Sequence, residues 1–248
     1  MISMRKILDL IRSYYTDAIV AAICITIVWV IVYRFIPVPG TFLMVKRALT
    51  SSPDKTLQYE WTPWYRMTSF PKVCAMAAED QMLPFHMGLD LASIEDALED
   101  SGKKRLRGAS TITQQVAKNA FLFPSRSFIR KGFELYFTLL MEALWTKRRV
   151  LEVYLNIAET GDMVFGIGAA AKVYFRKPAA KLSLGESARI IATLPNPVKY
   201  SVKNPGNYVM KRQNQIVGLY HSLDGRYYLR ELFVRTPESL YDFSKYKK

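Results

Sequence analysis

Four short stretches gather residue types suited to chemistry rather than to packing. Glu79-Asp80 is followed by His86-Met87-Gly88-Leu89-Asp90. Arg107-Gly108-Ala109-Ser110-Thr111-Ile112-Thr113-Gln114-Gln115 runs on to Lys118-Asn119. The third is Arg130-Lys131-Gly132-Phe133-Glu134, and the fourth is Leu151-Glu152-Val153-Tyr154-Leu155-Asn156 continuing through Ile157-Ala158-Glu159. A run of Ser, Thr and Gln after glycine is poor core material, but its hydroxyls and amides hold a sugar or a phosphate well. Singly, each stretch has a plain explanation. Glu79-Asp80 fits a solvated helix end, the polar run fits a capped loop, and Arg130 with Glu134 fits an i,i+4 surface pair.

Helical periodicity places these residues. Pro71 opens a helix carrying Val73, Met76, Ala77 and Asp80 at a spacing of 0, 3, 4 and 7, with Glu79 near its end. Ser127 caps a long helix with Phe133, Phe137, Leu140, Met141 and Leu144 on one side and Glu134 on another. Thr146 caps the next, through Leu151 and Leu155, and Ser183 with Glu186 forms a capping box before a third. Residues 100–108 are polar, basic and hold two glycines, which predicts a mobile loop. Strand signals are few, so the domain is expected to be mainly α.

Between Ala18 and Tyr33 no residue is charged, and Tyr14, Tyr15 and Tyr33 flank the run as interfacial aromatics do. With Phe35 and Ile36 beyond a snorkelling Arg34, the stretch reaches the roughly 20 residues needed to span a bilayer. A cleaved signal peptide fits less well, because Pro37 and Pro39 follow where a small-x-small site is required. Phe42 to Leu49 reads as a short apolar helix, lying on the membrane face or packing against the domain. The expected order is a tail over 1–17, a transmembrane helix over 18–36, a catalytic domain over 37–222 and an extension over 223–248. Lys and Arg outnumber Asp and Glu by 35 to 21, a net charge of +14 that suits an anionic partner. Cys24 and Cys74 make no CxxC pair, and His86 and His221 are the only histidines, so no zinc site is legible.

Together the stretches resemble glycosyltransferase family 51, the peptidoglycan glycosyltransferases. The pattern E-D-x(6)-H-x-G-x-D spans Glu79 to Asp90, G-A-S-T-I-T-Q-Q with A-K-N is complete, and R-K-x-x-E spans Arg130 to Glu134. Y-L-N-I-A-E, with Phe165-Gly166 and Leu194-Pro195-Asn196-Pro197, is similar to the monofunctional members in particular. The resemblance covers about 38–216. Three positions depart from it: Leu83 stands where an aromatic is usual, Gly168 replaces a common glutamate, and Arg176 replaces the glycine of Y-F-G.

The resemblance implies a lysozyme-like, mostly α domain with a small hydrophobic lobe, held at the bacterial inner membrane with its catalytic part outside the cytoplasm. It implies transfer of a growing glycan chain from undecaprenyl pyrophosphate to the 4-hydroxyl of lipid II, with inversion. Glu79 then matches the general base. Glu134 matches a second essential glutamate that orders cations or a bound divalent metal, magnesium or manganese; no organic cofactor is implied. Lys118, Arg126, Arg130 and Lys131 lie where the family holds the pyrophosphate, and Ser110, Thr111, Gln114 and Gln115 line the donor cleft. Asp80 and His86 support the site or touch substrate directly. Asn156 and Glu159 are structural or contact sugar. The partners implied are lipid II, the lipid-linked glycan, the membrane and other wall-synthesis or division proteins, with no nucleic acid. A lytic enzyme of the same broad fold, or a scaffold that kept the fold without activity, is the competing expectation. The second glutamate and the cations argue against the lytic enzyme, and the intact Glu79 and Glu134 argue against the scaffold.

Overall fold

The computed structural model describes residues 4–90, 110–125 and 127–233, with side chains from residue 13 onward. The expected loop over 100–108, Arg107 to Ala109, and Arg126 lie outside the described residues. The chain forms two compact units, residues 1–37 and 38–248. The first is a single helix, α1 (Met4–Phe35). Its portion Ser13–Phe35 has 23 residues and is apolar enough to cross a membrane, and at 1.5 Å per residue that is roughly 35 Å, against a hydrocarbon core of about 30 Å. Ile19, Val20, Ile25 and Val28 are exposed along it.

The second unit begins with α2 (Phe42–Thr50), which Thr41 caps by accepting a hydrogen bond from Met44 N. Then come β1 (Gln58–Tyr59), a 3-10 turn Trp64–Arg66 and α3 (Ser69–Glu79). Helix α3 starts two residues before Pro71. The first-turn N–H groups lack intrahelical acceptors, so a proline at the third position loses no hydrogen bond. Three helices form the far side of the domain: α4 (Ile112–Phe121), α5 (Phe128–Leu144) and α6 (Lys147–Ile157). Ser127 and Thr146 cap α5 and α6 as expected. A small sheet in the order β1-β3-β2 brings together β1, β2 (Glu159–Gly161) and β3 (Val164–Phe165), with β1 parallel and β2 antiparallel to β3. Helices α7 (Gly166–Phe175), α8 (Leu184–Thr193, opened by the Ser183/Glu186 box) and α9 (Asn207–Ser222) complete the order, followed by a 3-10 segment Gly225–Leu232.

Two helical groups result: α3 packs with α8 and α9, while α4 packs with α5 and α6, and α3 meets α6 between them. The buried side of α5 keeps Phe137 and Met141 of the expected stripe but is otherwise rotated from it. It carries Glu134, Phe137, Thr138, Met141 and Glu142, whereas Phe133 is exposed. Phe128, Ile129, Phe133, Leu135 and Leu139 present a second apolar surface outward. Phe123, and Phe42, Val45 and Leu49 of α2, are also exposed.

The three departures from the family pattern have local structural accounts. Leu83 is fully buried. A Cβ at Gly168 would stand 2.0 Å from Thr62 Oγ1 and 3.0 Å from the Glu60 carbonyl oxygen, so no glutamate fits there. Arg176 is the left-handed C-cap of α7 at φ 55, a conformation that glycine adopts at lower cost.

Candidate active site

Glu79 is the last residue of α3, and the chain turns away at Asp80, whose N–H still bonds Met76 O. The turn is held by side chains. Gly88 N donates to His86 Nδ1 (3.0 Å), so the neutral ring carries its proton on Nε2, which faces both Asp80 oxygens at 2.9 and 3.0 Å. Asp80 Oδ2 also accepts from Ile112 N at 2.8 Å, at the start of α4. Asp80 and His86, both buried, therefore tie the end of α3 to the start of α4 and fix where Glu79 stands. Gly88 completes the junction at φ +82; a Cβ there would lie 2.7 Å from Thr138 and 2.8 Å from Glu142.

The polar run divides by function. Thr111 and Gln114 form a reciprocal capping box at the N-terminus of α4, and Thr111 Oγ1 donates to Gly88 O at 2.7 Å. Both are buried, so their polar groups are spent on positioning α4; Ser110 is exposed. Gln115, one residue further, faces the site and donates through Nε2 to Glu79 Oε2 at 3.2 Å. Thr113 and Lys147 both donate to Glu142 Oε1 at 2.7 Å, a buried link joining α4, α5 and α6.

Burial raises the Glu79 carboxyl above its ordinary value of 4.5, against the lowering effects of the Gln115 hydrogen bond and of the Arg212 and Lys118 charges, with Asp80 adding to the rise. A carboxylate held in that way is a stronger proton acceptor than a solvated one. Tyr154 lies close enough that burial first, and then the charges of Glu79 and Asp80, keep its phenol protonated. Arg212 of α9 donates to Ala78 O at 2.8 Å, one residue before the carboxylate.

On the other helical group, Glu134 is 3% exposed. Its Oε2 accepts from Arg130 Nη1 at 2.6 Å and its Oε1 accepts from Lys131 Nζ. Lys118, on α4, feels both carboxylates: burial lowers its pKa, Glu134 opposes this most strongly, Arg130 and Lys131 add to the lowering, and Glu79 opposes it. Lys118 and Arg130, with Asn119, Pro124 and Ser125, line a cavity of about 580 Å³.

Asn156 makes a reciprocal pair with Thr62, accepting from Thr62 N (2.6 Å) and donating to Thr62 O (3.0 Å), and also donates to Glu152 O. Glu159 Oε2 accepts from Arg47 at 2.9 and 3.2 Å. Both residues thus join distant parts of the chain. A protein-held divalent metal does not fit this donor set. Among the described residues no three His, Cys, Asp or Glu converge, and both Glu134 oxygens already face cations.

Sequence periodicity missed Arg212, because its contact with Ala78 spans 134 positions and nothing near it in the chain signals that contact. The positioning role of Thr111 and Gln114 was readable, since T-x-x-Q before an apolar run is a capping box.

The Transglycosylase family model matches residues 46–221. The biosynthetic peptidoglycan transglycosylase of Yersinia pseudotuberculosis serotype O:3 (strain YPIII) is 41% identical over 237 residues, covering 93% of this chain and 98% of that protein. The protein of the same name from Yersinia pestis (strain Pestoides F) is 40% identical over the same shares. The mainly α architecture fits the lysozyme-like fold expected of such a domain. The chain belongs to the transglycosylase family, the peptidoglycan glycosyltransferases.

Proposed function

We propose that this enzyme elongates glycan strands by moving the growing chain from its undecaprenyl pyrophosphate carrier onto the 4-hydroxyl of lipid II. A sugar hydroxyl is a weak nucleophile at neutral pH. Glu79 takes its proton as the oxygen attacks the anomeric carbon from the face opposite the leaving group. The new C–O bond forms as the bond to the pyrophosphate oxygen breaks, and the electron pair leaves on the pyrophosphate. Inversion gives a β-1,4 link. Negative charge grows on the leaving group, and Lys118 and Arg130 are placed to receive it, with Arg126 assigned beside them by the family motif. Glu134 holds Arg130 and Lys131 in place. The observation that carries this reading is the pocket where Lys118 and Arg130 meet, with Glu134 holding Arg130 at 2.6 Å and Gln115, on the same helix as Lys118, reaching Glu79 at 3.2 Å.

The direction of growth is tested by pulse and chase. Label given briefly as lipid II, then chased with unlabelled lipid II, is expected to stay at the end of the strand far from the lipid. Label found next to the lipid pyrophosphate after the chase would mean that lipid II is the donor.

The enzyme acts at the outer face of the bacterial inner membrane, anchored by Ser13–Phe35. The length and apolar surface of that helix support the anchoring, and the side of the membrane follows from the family resemblance. Carbonate washing is expected to leave the protein in the membrane pellet, and protease added to spheroplasts to digest its catalytic domain. Release by the wash, or protection from the protease, contradicts the placement.

A further inference from the structure

We propose that Lys46, on α2 and outside all four motifs, is an additional pyrophosphate-binding cation of the donor pocket. This rests on the reading above and extends it to the helix that follows the anchor.

The rotation of α2 is fixed by three contacts. Thr41 caps its first turn at 3.2 Å, Met44 is buried, and Arg47 is drawn to Glu159 at 2.9 Å. With those positions committed, Leu43 and Lys46, three residues apart and so on one face, line the same cavity of about 580 Å³ as Lys118 and Arg130. Among the described residues no Asp or Glu lines it. Three cations therefore meet in one pocket, and the anions near two of them are already engaged: Glu134 accepts from Arg130, and its charge with that of Glu79 acts on Lys118. Arg130 keeps a buried Nε with no acceptor. That orphan donor points to a missing acceptor, because a buried N–H is costly to leave unsatisfied.

The rest of the wall is apolar. Leu43, Leu122 and Pro124 line the cavity beside the cations. A pocket with cations and aliphatic carbon side by side matches an anion bonded to a hydrocarbon, the chemistry of a prenyl pyrophosphate. Lys46 is exposed, which lets its flexible stem follow the phosphate. Its charge acts on the leaving group, so it is a binding residue rather than the base.

The test uses geranylgeranyl pyrophosphate as a product-like competitor of polymerisation by the full chain, in nonionic detergent without anionic lipid. Lys46→Ala is expected to raise the inhibition constant about 10-fold, the loss of one charge-assisted contact. Lys46→Arg should restore it, and inhibition by uncharged geranylgeraniol should not change. Melting temperature is expected to match the wild type, since the side chain is exposed. An unchanged constant in Lys46→Ala, with Lys118→Ala impaired, overturns the Lys46 assignment and leaves the pocket intact. Equal constants in Lys46→Ala, Lys118→Ala and the wild type overturn the pyrophosphate reading itself. An effect seen only in vesicles containing phosphatidylglycerol shows that Lys46 meets phospholipid headgroups and also overturns the proposal.

Discussion

Replacing Glu79 with glutamine is expected to lower polymerisation by about 100-fold or more while fold and lipid II binding persist, the usual scale for losing a general base. Glutamine keeps the shape and still offers an oxygen to Gln115 Nε2, which lies 3.2 Å from the carboxylate. What it removes is proton affinity. The same assignment fixes the sign of the pH dependence. Burial raises the Glu79 pKa above 4.5, and only the ionised form accepts a proton. Activity should therefore fall as pH drops through that raised value, and the acid limb of kcat/KM should lie above the ordinary glutamate range. Initial rates on lipid II across pH, with circular dichroism as a folding control, check both points. Near-normal turnover in the variant, or an acid limb at an unshifted glutamate value, would remove Glu79 from the base position.

Truncating Lys118 to alanine is the second large expected effect, about 10- to 1000-fold in rate, because an aimed charge in a poorly solvated site can contribute a few kcal/mol to the transition state. Lys55 provides the contrast. It is exposed and pairs with Asp162 at the surface, where water and salt screen its charge. Lys55→Ala is expected to keep essentially full activity. Hydrolysis of a glycan has no pyrophosphate to neutralise, so this pair of variants separates a polymerase from a lytic enzyme. Equal rates for Lys118→Ala and Lys55→Ala would show that the cations do not act on a leaving group.

The elements that carry these residues were legible where a local rule sufficed. The caps Ser127, Thr146 and Ser183 bound α5, α6 and α8 as their side chains predict. Helix α3 ends at Glu79, one residue before the Asp80 that its spacing included. On α5 periodicity placed Phe137 and Met141 inside, as they are, but it grouped Phe133 with them and set Glu134 on a different face. An apolar stripe reports which side chains avoid water, and α5 has apolar residues on its exposed side as well. Its packed side also takes in Glu134, which is buried and paired with Arg130 and Lys131, and Glu142, which is buried with Lys147. A paired charge is affordable inside in a way that hydropathy does not register. Within the polar run, Gln115 reaches Glu79, while Thr111 and Gln114 cap α4. Contacts such as Arg212 with Ala78 and Arg47 with Glu159 join residues more than 100 positions apart, so only the fold reveals them.

The most direct measurement of the central claim is incubation of the purified chain with lipid II alone, following glycan length and released undecaprenyl pyrophosphate together. The account predicts a lengthening β-1,4 glycan with one pyrophosphate carrier released for each linkage formed. Lipid II left unconsumed, or preformed glycan shortened with no release of pyrophosphate, would contradict it.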